Sequence, residues 1–172
     1  PPRTYAPVGI DTSAGFLDLA RQRLGPDDAE FRQADAQALL ADLARVTSRW
    51  SGGDIDLRVL LVDNASAEPL STLPTPEGLN LQHLRLGRNT GGSGGYNAGM
   101  RRVLSLDDQN DEALAWRAWD AHYTWLVDSD ARVAPGTLAA LIDVMERDPA
   151  IVAAGSAICD PVTGQAFELG GT

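Results

Sequence analysis

Two aspartates at the end of an apolar run are the residues of this chain best suited to chemistry. Residues 123–127 have the pattern of a buried strand, and Asp128 and Asp130 follow directly. Two carboxylates held so close repel each other unless a cation lies between them. Their hard oxygen ligands suit Mg²⁺ or Mn²⁺ at the mouth of a parallel sheet. A solvated turn would use the same residues, so this pattern alone leaves both interpretations open.

Two further polar sites also follow predicted strands. Asp63 and Asn64 come directly after the apolar run 57–62, and Asn89 comes after the alternating segment 79–86. In an open α/β sheet, ligands bind in the crevice at the carboxyl ends of the strands. We therefore expect these residues to converge on the aspartate pair, although they lie far from it in the sequence.

A glycine-rich turn over residues 89–99 leads into a helix that carries Met100, Val103 and Leu104. Such a turn offers free backbone N–H groups and the positive end of a helix dipole, and both suit phosphates. The turn matches neither the P-loop, because no Lys follows, nor a G-x-G-x-x-G turn after the first strand. A flexible loop that needs positive φ would look the same.

Apolar runs alternate with segments of helical periodicity, which predicts a mostly parallel α/β sheet flanked by helices. The predicted strands cover residues 8–10, 57–62, 79–86, 123–127, 151–154 and 165–169. The predicted helices cover residues 15–24, 36–49, 113–121 and 134–147, in addition to the helix after the glycine-rich turn. We expect His83 to be partly buried in its strand and not to be a ligand.

The composition favours one soluble domain with a core, since 44% of the 172 residues are hydrophobic. The net charge is −10, and all 14 basic residues are arginine. An acidic surface argues against nucleic acid as a partner, because phosphate affinity depends on clustered cations. A small anionic ligand would therefore have to arrive with a metal or meet a local cluster of donors.

The single cysteine, Cys159, excludes an internal disulfide and fits a reducing compartment. Its neighbours are small and apolar, so we expect a buried, unreactive side chain. The sequence shows no apolar run as long as a membrane span and no signal peptide. We expect a cytoplasmic protein, with any membrane association peripheral and provided by parts that this chain lacks.

Three motifs together resemble the family 2 glycosyltransferases with the A-type fold. They are LVDNAS at residues 61–66, NTGGSGGYNAG at residues 89–99 and WLVDSD at residues 125–130, in the order and spacing of that family. The glycine-rich motif is most similar to the galactofuranosyltransferase-like branch, which implies a bacterial enzyme of cell-wall polysaccharide synthesis. The resemblance covers about residues 56–172 and implies a Rossmann-like nucleotide-diphospho-sugar transferase fold.

The resemblance implies transfer of a sugar from a nucleotide diphosphate, with UDP favoured, to a hydroxyl group of a glycan or lipid-linked acceptor. Asp63 would hold the base or ribose of the donor, and Asp128 would contact the ribose or the metal. Asp130 would bind Mg²⁺ or Mn²⁺, which neutralises the charge on the leaving diphosphate. The other residues expected to bind the nucleotide-sugar are Asn64, Asn89, Gly91, Gly92 and Asn97.

An inverting transferase of this kind also needs a carboxylate base for the acceptor hydroxyl, and in the family this base lies well beyond the metal motif. Asp160 and Glu168 are available, but nothing local marks either, so the catalytic base stays unassigned. The chain stops about where the acceptor half should begin, which suggests an incomplete, inactive fragment. A truncated sheet would expose an apolar edge, which is compatible with self-association.

The amino end fits the family less well, so we divide the chain into a segment of uncertain origin at residues 1–55 and a transferase domain at residues 56–172. Residues 8–39 also resemble part of an S-adenosylmethionine-dependent methyltransferase. That resemblance would place Asp11 on the ribose hydroxyls and Asp35 near the adenine amine. It lacks the glycine-rich strand and turn that hold the amino-acid part of the cofactor.

Two alternatives therefore stand beside the transferase. One is a methyltransferase-like module, and the other is a non-catalytic α/β scaffold. Metal dependence of ligand binding separates the transferase from the methyltransferase, because S-adenosylmethionine binding needs no cation. Turnover separates the transferase from the scaffold.

Overall fold

The structure, a computed structural model, describes residues 3–10, 28–104, 121–160 and 163–168. The strands in these ranges are β1 (Arg3–Ile10), β2 (Arg49–Trp50), β3 (Gly53–Asp63), β4 (Asn80–Arg85), β5 (Tyr123–Asp128), β6 (Ile158–Cys159) and β7 (Ala166–Glu168). The α-helices are α1 (Asp28–Leu43), α2 (Gly91–Val103) and α3 (Thr137–Arg147), and a 3₁₀ turn lies at Leu70–Thr72.

Four parallel strands build the main sheet in the order β4–β3–β1–β5. The chain passes from β1 outward to β3 and β4, and then returns to the other side of β1 to form β5. β2 adds a short antiparallel pair at the beginning of β3. The strand order therefore reverses beside β1, and open α/β sheets bind ligands in the crevice at such a reversal. The predicted α/β fold with a mostly parallel sheet is confirmed.

β3 is buried on both faces, because it has parallel neighbours on both edges and helices on both sides. Val59, Leu60, Leu61 and Val62 are at most 3% exposed. Alternate side chains of a strand point to opposite faces, so Val59 and Leu61 pack on the α1 side and Leu60 and Val62 on the α2 side. The segment at residues 57–62, which is apolar apart from Arg58, thus correctly predicted a buried strand.

α1 and α3 lie on one face of the sheet, and α2 lies on the other. α3 buries Leu138 and Ile142 beside Ile55 of β3. α1 buries an apolar row at helical spacing, formed by Ala36, Leu39, Leu40 and Leu43. Each leucine or isoleucine buried in this way stabilises the fold by about 1.5–3 kcal/mol, so α1 and α3 cover their face of the sheet firmly.

α1 both begins and ends earlier than the predicted helix at residues 36–49. Beyond Leu43, the backbone N–H of Thr47 donates a hydrogen bond to the carbonyl of Pro135 at 2.8 Å. Because this N–H bonds to the loop before α3, it cannot continue the helical ladder. After α1, the N–H groups of Arg45 and Val46 already bond three residues back, and the contact of Thr47 then fixes this segment against the loop before α3.

The glycine-rich segment is helical from Gly91 onward, so its interpretation as a turn over residues 89–99 is wrong. Gly91 itself has a φ of 72° and is the first residue of α2. Each interior glycine weakens a helix by roughly 0.5–1 kcal/mol relative to alanine. α2 forms nevertheless, because tertiary packing supplies most of the stability of helices in proteins, and Val103 packs here against Leu60 and Val62.

The carboxyl end departs from two predictions. The predicted strand at residues 151–154 is irregular, and Val152 is 91% exposed. Cys159 is exposed, so its prediction as a buried side chain is wrong. Both residues of β6 face solvent, since β6 pairs with β7 in a two-stranded ribbon outside the main sheet.

His83 is partly buried, as predicted. The predicted helix at residues 15–24, and all but the last residue of the one at residues 113–121, lie outside the described residues. No helix within the described ranges is both long enough and apolar enough to cross a membrane.

β1 pairs with both β3 and β5, so backbone from the first fifty-five residues lies inside the main sheet. The boundary predicted between residues 55 and 56 falls within β3. The separate origin suggested for residues 1–55 stays a prediction.

Candidate functional site

The carboxyl edge of the main sheet gathers most of the polar residues nominated from the sequence. Asp63 ends β3 and Asp128 ends β5, on opposite sides of β1. The strand register fixes their positions along the sheet, because Ile10 of β1 lies opposite Val62 of β3 on one side and opposite Asp128 of β5 on the other. The two aspartates therefore stand at the same edge, one strand apart.

Asp63 is 3% exposed and is engaged by groups of the protein itself. One carboxylate oxygen accepts from the N–H of Ser66 at 2.8 Å, and the other accepts from the N–H of Leu70 at 3.2 Å and from the Arg85 guanidinium. Arg85 also donates to the carbonyl of Ser66 at 2.8 Å. A carboxylate offers about four lone pairs, and these donors use three of them.

The turn that Asp63 holds is strained. Ala65 has a φ of 61°, which L-residues other than glycine seldom adopt. Such a conformation costs of order 1–3 kcal/mol and persists only where its surroundings fix it. After Ala65, the backbone of Ser66 is held by hydrogen bonds to the Asp63 carboxylate and from the Arg85 guanidinium. Before Ala65, Asn64 is held by the hydrogen bonds of its side chain to Gly91 and Thr90.

Asn64, which is also 3% exposed, joins the end of β3 to the beginning of α2. Its amide nitrogen donates to the carbonyl of Gly91 at 3.0 Å and, at 3.4 Å, to Oδ1 of Asn89. Its oxygen accepts from the N–H and the hydroxyl of Thr90, at 2.9 and 3.0 Å. Asn89 in turn accepts from the N–H of Gly91 at 2.8 Å. The predicted convergence of Asn64 with Asn89 and Gly91 is thus present.

Tyr96 joins α2 to the end of β5, because its hydroxyl donates a hydrogen bond to Oδ1 of Asp128. Burial, followed by the carboxylates of Asp128 and Asp130, raises the pKa of Tyr96 above its ordinary value of 10.0. The tyrosine therefore stays protonated and acts as a donor. Through this bond and those of Asn64, α2 connects both strand ends of the site.

The remaining nominated residues are open to solvent to different degrees. Asp128, Asp130 and Asn97 are exposed, Gly92 is half-buried, and Ser129 between the two aspartates is 8% exposed. The aspartate pair thus presents two carboxylates outward while the residue between them anchors the turn. The backbone N–H of Ala131 closes this turn on the carbonyl of Asp128 at 3.1 Å.

The donor set at Asp128 and Asp130 suits one kind of metal binding. Within the described residues, no group of three or more His, Cys, Asp or Glu side chains is placed to hold an ion. Mg²⁺ is usually held by one or two carboxylates, with waters and substrate phosphates completing its shell. Two exposed carboxylates therefore fit a metal that arrives with a diphosphate, and they do not form a closed structural metal site.

Three residues of this region escaped the sequence analysis as members of the site. Tyr96 lies inside the glycine-rich motif, four positions after Gly92. Had the segment been recognised as a helix, this spacing would have placed both residues on the same face of α2. Arg85 ends β4 opposite Asp63 in the strand register, which correct pairing of β3 with β4 would have revealed. Thr90 carries no signal apart from its position before the helix.

Comparison with known proteins places the chain in a family. No curated protein matches it. Among solved structures, it is similar to the crystal structure of S. aureus TarS 1-349, with a TM-score of 0.46 and 20% identity over 83% of this chain and 32% of that chain. The chain thus spans about a third of that structure, and at this TM-score the likeness carries no argument.

The sequence matches Glycosyl transferase family 2 over residues 34–167. Since this match extends over most of the chain, the protein belongs to Glycosyl transferase family 2.

Proposed function

We propose that the carboxyl edge of the main sheet is the donor site of a glycosyltransferase, which moves a sugar from a nucleotide diphosphate to a hydroxyl acceptor. UDP is the nucleotide that the family resemblance favours, and the proposed acceptor is a glycan or a lipid-linked acceptor. The match to Glycosyl transferase family 2 over residues 34–167 carries this proposal. The convergence of polar residues from β3, α2 and β5 at one edge supports it.

The beginning of α2 is suited to the diphosphate of the donor. The first turn of a helix has backbone N–H groups without intrahelical partners, and its dipole favours anions. The N–H of Gly91 already donates to Oδ1 of Asn89, and Thr90 provides no side-chain cap to the N–H groups that follow. Asn64 and Asn89 fix this end of the helix against β3. In the proposal, Gly91 and Gly92 let the backbone approach the phosphates, and Asn97 contacts the sugar side of the donor.

The two strand-end aspartates have different parts in the proposal. Asp63 holds the strained turn at Ala65 and offers its remaining lone pair to the base or ribose. Asp128, oriented by the hydroxyl of Tyr96, and the exposed Asp130 would bind Mg²⁺ or Mn²⁺. When bound, the metal would neutralise charge on the diphosphate leaving group.

The base for the acceptor hydroxyl is not assigned to a described residue. Asp160 accepts from the N–H and hydroxyl of Thr163, at 2.6 and 3.0 Å, and so closes the turn between β6 and β7. These hydrogen bonds show that the carboxylate of Asp160 stabilises the turn. The nominated Glu168 ends β7, and its role as a base stays a prediction.

A thermal-unfolding experiment tests the proposed donor site. A ligand that binds only the native state adds about 2.7 kcal/mol at a hundred times its Kd. For a chain of this size, that corresponds to a rise in Tm of roughly 5–10 °C. We expect this rise with UDP and Mn²⁺ together, and a much smaller one with UDP and a chelator. No rise with UDP and Mn²⁺ would contradict the donor site.

S-adenosylhomocysteine serves as the matched ligand for the methyltransferase alternative, and we expect it to leave Tm unchanged. The family match extends over residues 34–167, whereas the methyltransferase resemblance covers residues 8–39. A rise in Tm with S-adenosylhomocysteine alone would favour the alternative. Binding of UDP with Mn²⁺ but without any release of sugar from UDP-sugars would instead favour a non-catalytic scaffold.

A further inference from the structure

Asp42, near the end of α1, is a buried carboxylate that the proposed donor site does not use. It is 3% exposed. Burying a charge costs several kcal/mol unless partners compensate it, and Asp42 has three partners: the guanidinium groups of Arg45 and Arg132 and the backbone N–H of Val133. Hydrogen bonds from Arg132 are the main cause that lowers the pKa of Asp42. The carboxylate is therefore ionised and fully engaged.

The two arginines connect Asp42 to different parts of the chain. Arg45 follows Asp42 by three positions and joins it to the end of its own helix. Arg132 comes from the loop after β5, two positions beyond Asp130, and contacts both carboxylate oxygens with Nε at 2.6 Å and Nη2 at 3.0 Å. The backbone N–H of Val133 adds a third bond, at 3.1 Å. Two-point contact of this kind fixes orientation as well as distance.

The loop after β5 also contacts α1 and the segment after it through a backbone hydrogen bond and apolar packing. The N–H of Thr47 donates to the carbonyl of Pro135 at 2.8 Å. The side chains of Ala131 and Val133 pack against the core cluster that contains the apolar face of α1. Asp130 thus lies between the end of β5 and a loop held by α1.

We propose that Asp42, through Arg132 and the N–H of Val133, is a positioning residue that holds Asp130 in place to bind the metal of the donor site. This inference rests on the proposed function, because it concerns how the same site is held. Asp42 touches neither donor nor metal in this account. It acts by fixing the loop on which Asp130 lies.

Four single variants test the proposal, with Arg45→Gln as the matched control and Arg132→Lys as the conservative replacement. Arg132→Gln removes the contact to the loop, and Asp42→Asn removes the charge at the centre. Arg45→Gln removes an equal charge from the same carboxylate but leaves the loop contact intact. Arg45 and Arg132 have similarly exposed side chains, 61% and 66%, so neither change removes a core side chain.

The measured quantities are the apparent Kd for Mn²⁺ in the presence of UDP and, without ligand, hydrogen exchange of the amide of Val133. Loss of residues that support a metal ligand typically costs about 10–100-fold in metal affinity. We expect Arg132→Gln to raise the Mn²⁺ Kd about tenfold and to speed exchange at Val133. We expect Arg45→Gln to change neither, and Arg132→Lys to recover part of the loss.

The outcomes separate this proposal from the proposed function. If the wild type binds UDP with Mn²⁺ but Arg132→Gln and Arg45→Gln have equal Mn²⁺ affinity, the positioning role is wrong and the donor site stands. Unchanged exchange at Val133 in both Arg132→Gln and Asp42→Asn would also overturn the positioning role. If the wild type shows no Mn²⁺-dependent binding of UDP, the proposed function fails and the role of Asp42 at that site fails with it. Should Asp42→Asn not fold, the arginine variants alone decide.

Discussion

At the scale of residues, the aspartates of the carboxyl edge differ in what surrounds them. Asp63 is 3% exposed and accepts hydrogen bonds from two backbone N–H groups and from Arg85. Asp128 and Asp130 are exposed, and only the first is bonded to Tyr96. A carboxylate surrounded by donors stabilises a turn, whereas an exposed pair of carboxylates is available to a cation. These different environments support the different roles that are proposed for Asp63 and for the exposed pair.

Replacing Asp130 with asparagine should weaken metal-supported binding and leave the fold intact. Asp130 is exposed, so the free energy of unfolding should change by no more than about 0.5 kcal/mol, as for other surface substitutions. Loss of a supporting residue around a metal costs about 10–100-fold in affinity, so loss of a ligand itself should raise the Kd for UDP with Mn²⁺ at least about tenfold. Calorimetric titration measures this Kd. An unchanged Kd in Asp130→Asn would show that the metal is bound elsewhere.

The Asp42 carboxylate should make stability depend on acid pH. Hydrogen bonds from Arg132 are the largest cause that holds its pKa below the ordinary value of 3.8, against the opposing effect of burial. Its contribution to folding is complete above that value and is lost as the pH falls through the lower pKa of the folded state. We expect the difference in the free energy of unfolding between the wild type and Asp42→Asn to shrink below about pH 4. Urea unfolding at several pH values measures it, and a difference independent of pH would contradict the assignment.

At the scale of elements, α2 is the element of the site whose helical structure depends most on tertiary contacts. Its glycines disfavour a helix, yet it packs against β3 and its beginning is tied to Asn64. One of these glycines allows a close contact. A Cβ added at Gly94 would lie 2.4 Å from the Cβ of Thr90, which is closer than side chains can approach.

Gly94→Ala should therefore destabilise the protein, although alanine is the better helix former. The gain in helix propensity is roughly 0.5–1 kcal/mol, whereas overpacking typically costs about 1–3 kcal/mol, so we expect a net loss of about 1 kcal/mol. Chemical denaturation measures it.

A second-site change identifies the cause of that loss. In a Thr90→Gly background the contacting Cβ is absent, and Gly94→Ala should become neutral or stabilising. In a Thr90→Ala background the Cβ remains, and the loss should persist. Equal effects in both backgrounds would mean that the close contact with Thr90 is not the reason.

The elements also show how far sequence patterns reach. β3 was predictable because a strand buried on both faces needs a continuous apolar run, as at residues 59–62. α2 was not predicted over its glycines, because local propensity argues against a helix that tertiary packing creates. The hydrogen bonds of Asp42 with Arg132 span 90 positions, and no local pattern distinguishes this aspartate from a solvated one on a helix. The convergence of polar residues was predictable where they follow strand ends, and their contacts were missed where the partners come from another element.

At the scale of the whole molecule, strand order is what assembles the site. β1 lies between β3 and β5, and its register aligns the ends of both. The chain has a net charge of −10 and no lysine, so its overall field repels a nucleotide diphosphate. In the proposed function, local features compensate for this repulsion: the beginning of α2, the exposed Arg85 and a divalent cation at the aspartate pair. The charge of the molecule thus supports the proposed role of a metal, in addition to the two carboxylates.

Localisation of the nucleotide by NMR tests this account most directly. UDP titrated into ¹⁵N-labelled protein with Mg²⁺, a diamagnetic ion, should shift the amide signals of Gly91, Gly92, Asp128 and Asp130 together, because all lie at the carboxyl edge of the main sheet. The amides of β6 and β7 should stay unchanged and serve as the internal control. Without Mg²⁺, the shifts at Asp128 and Asp130 should largely disappear. Shifts confined to other parts of the chain, or none at saturating UDP and Mg²⁺, would contradict the proposal that this edge is the donor site.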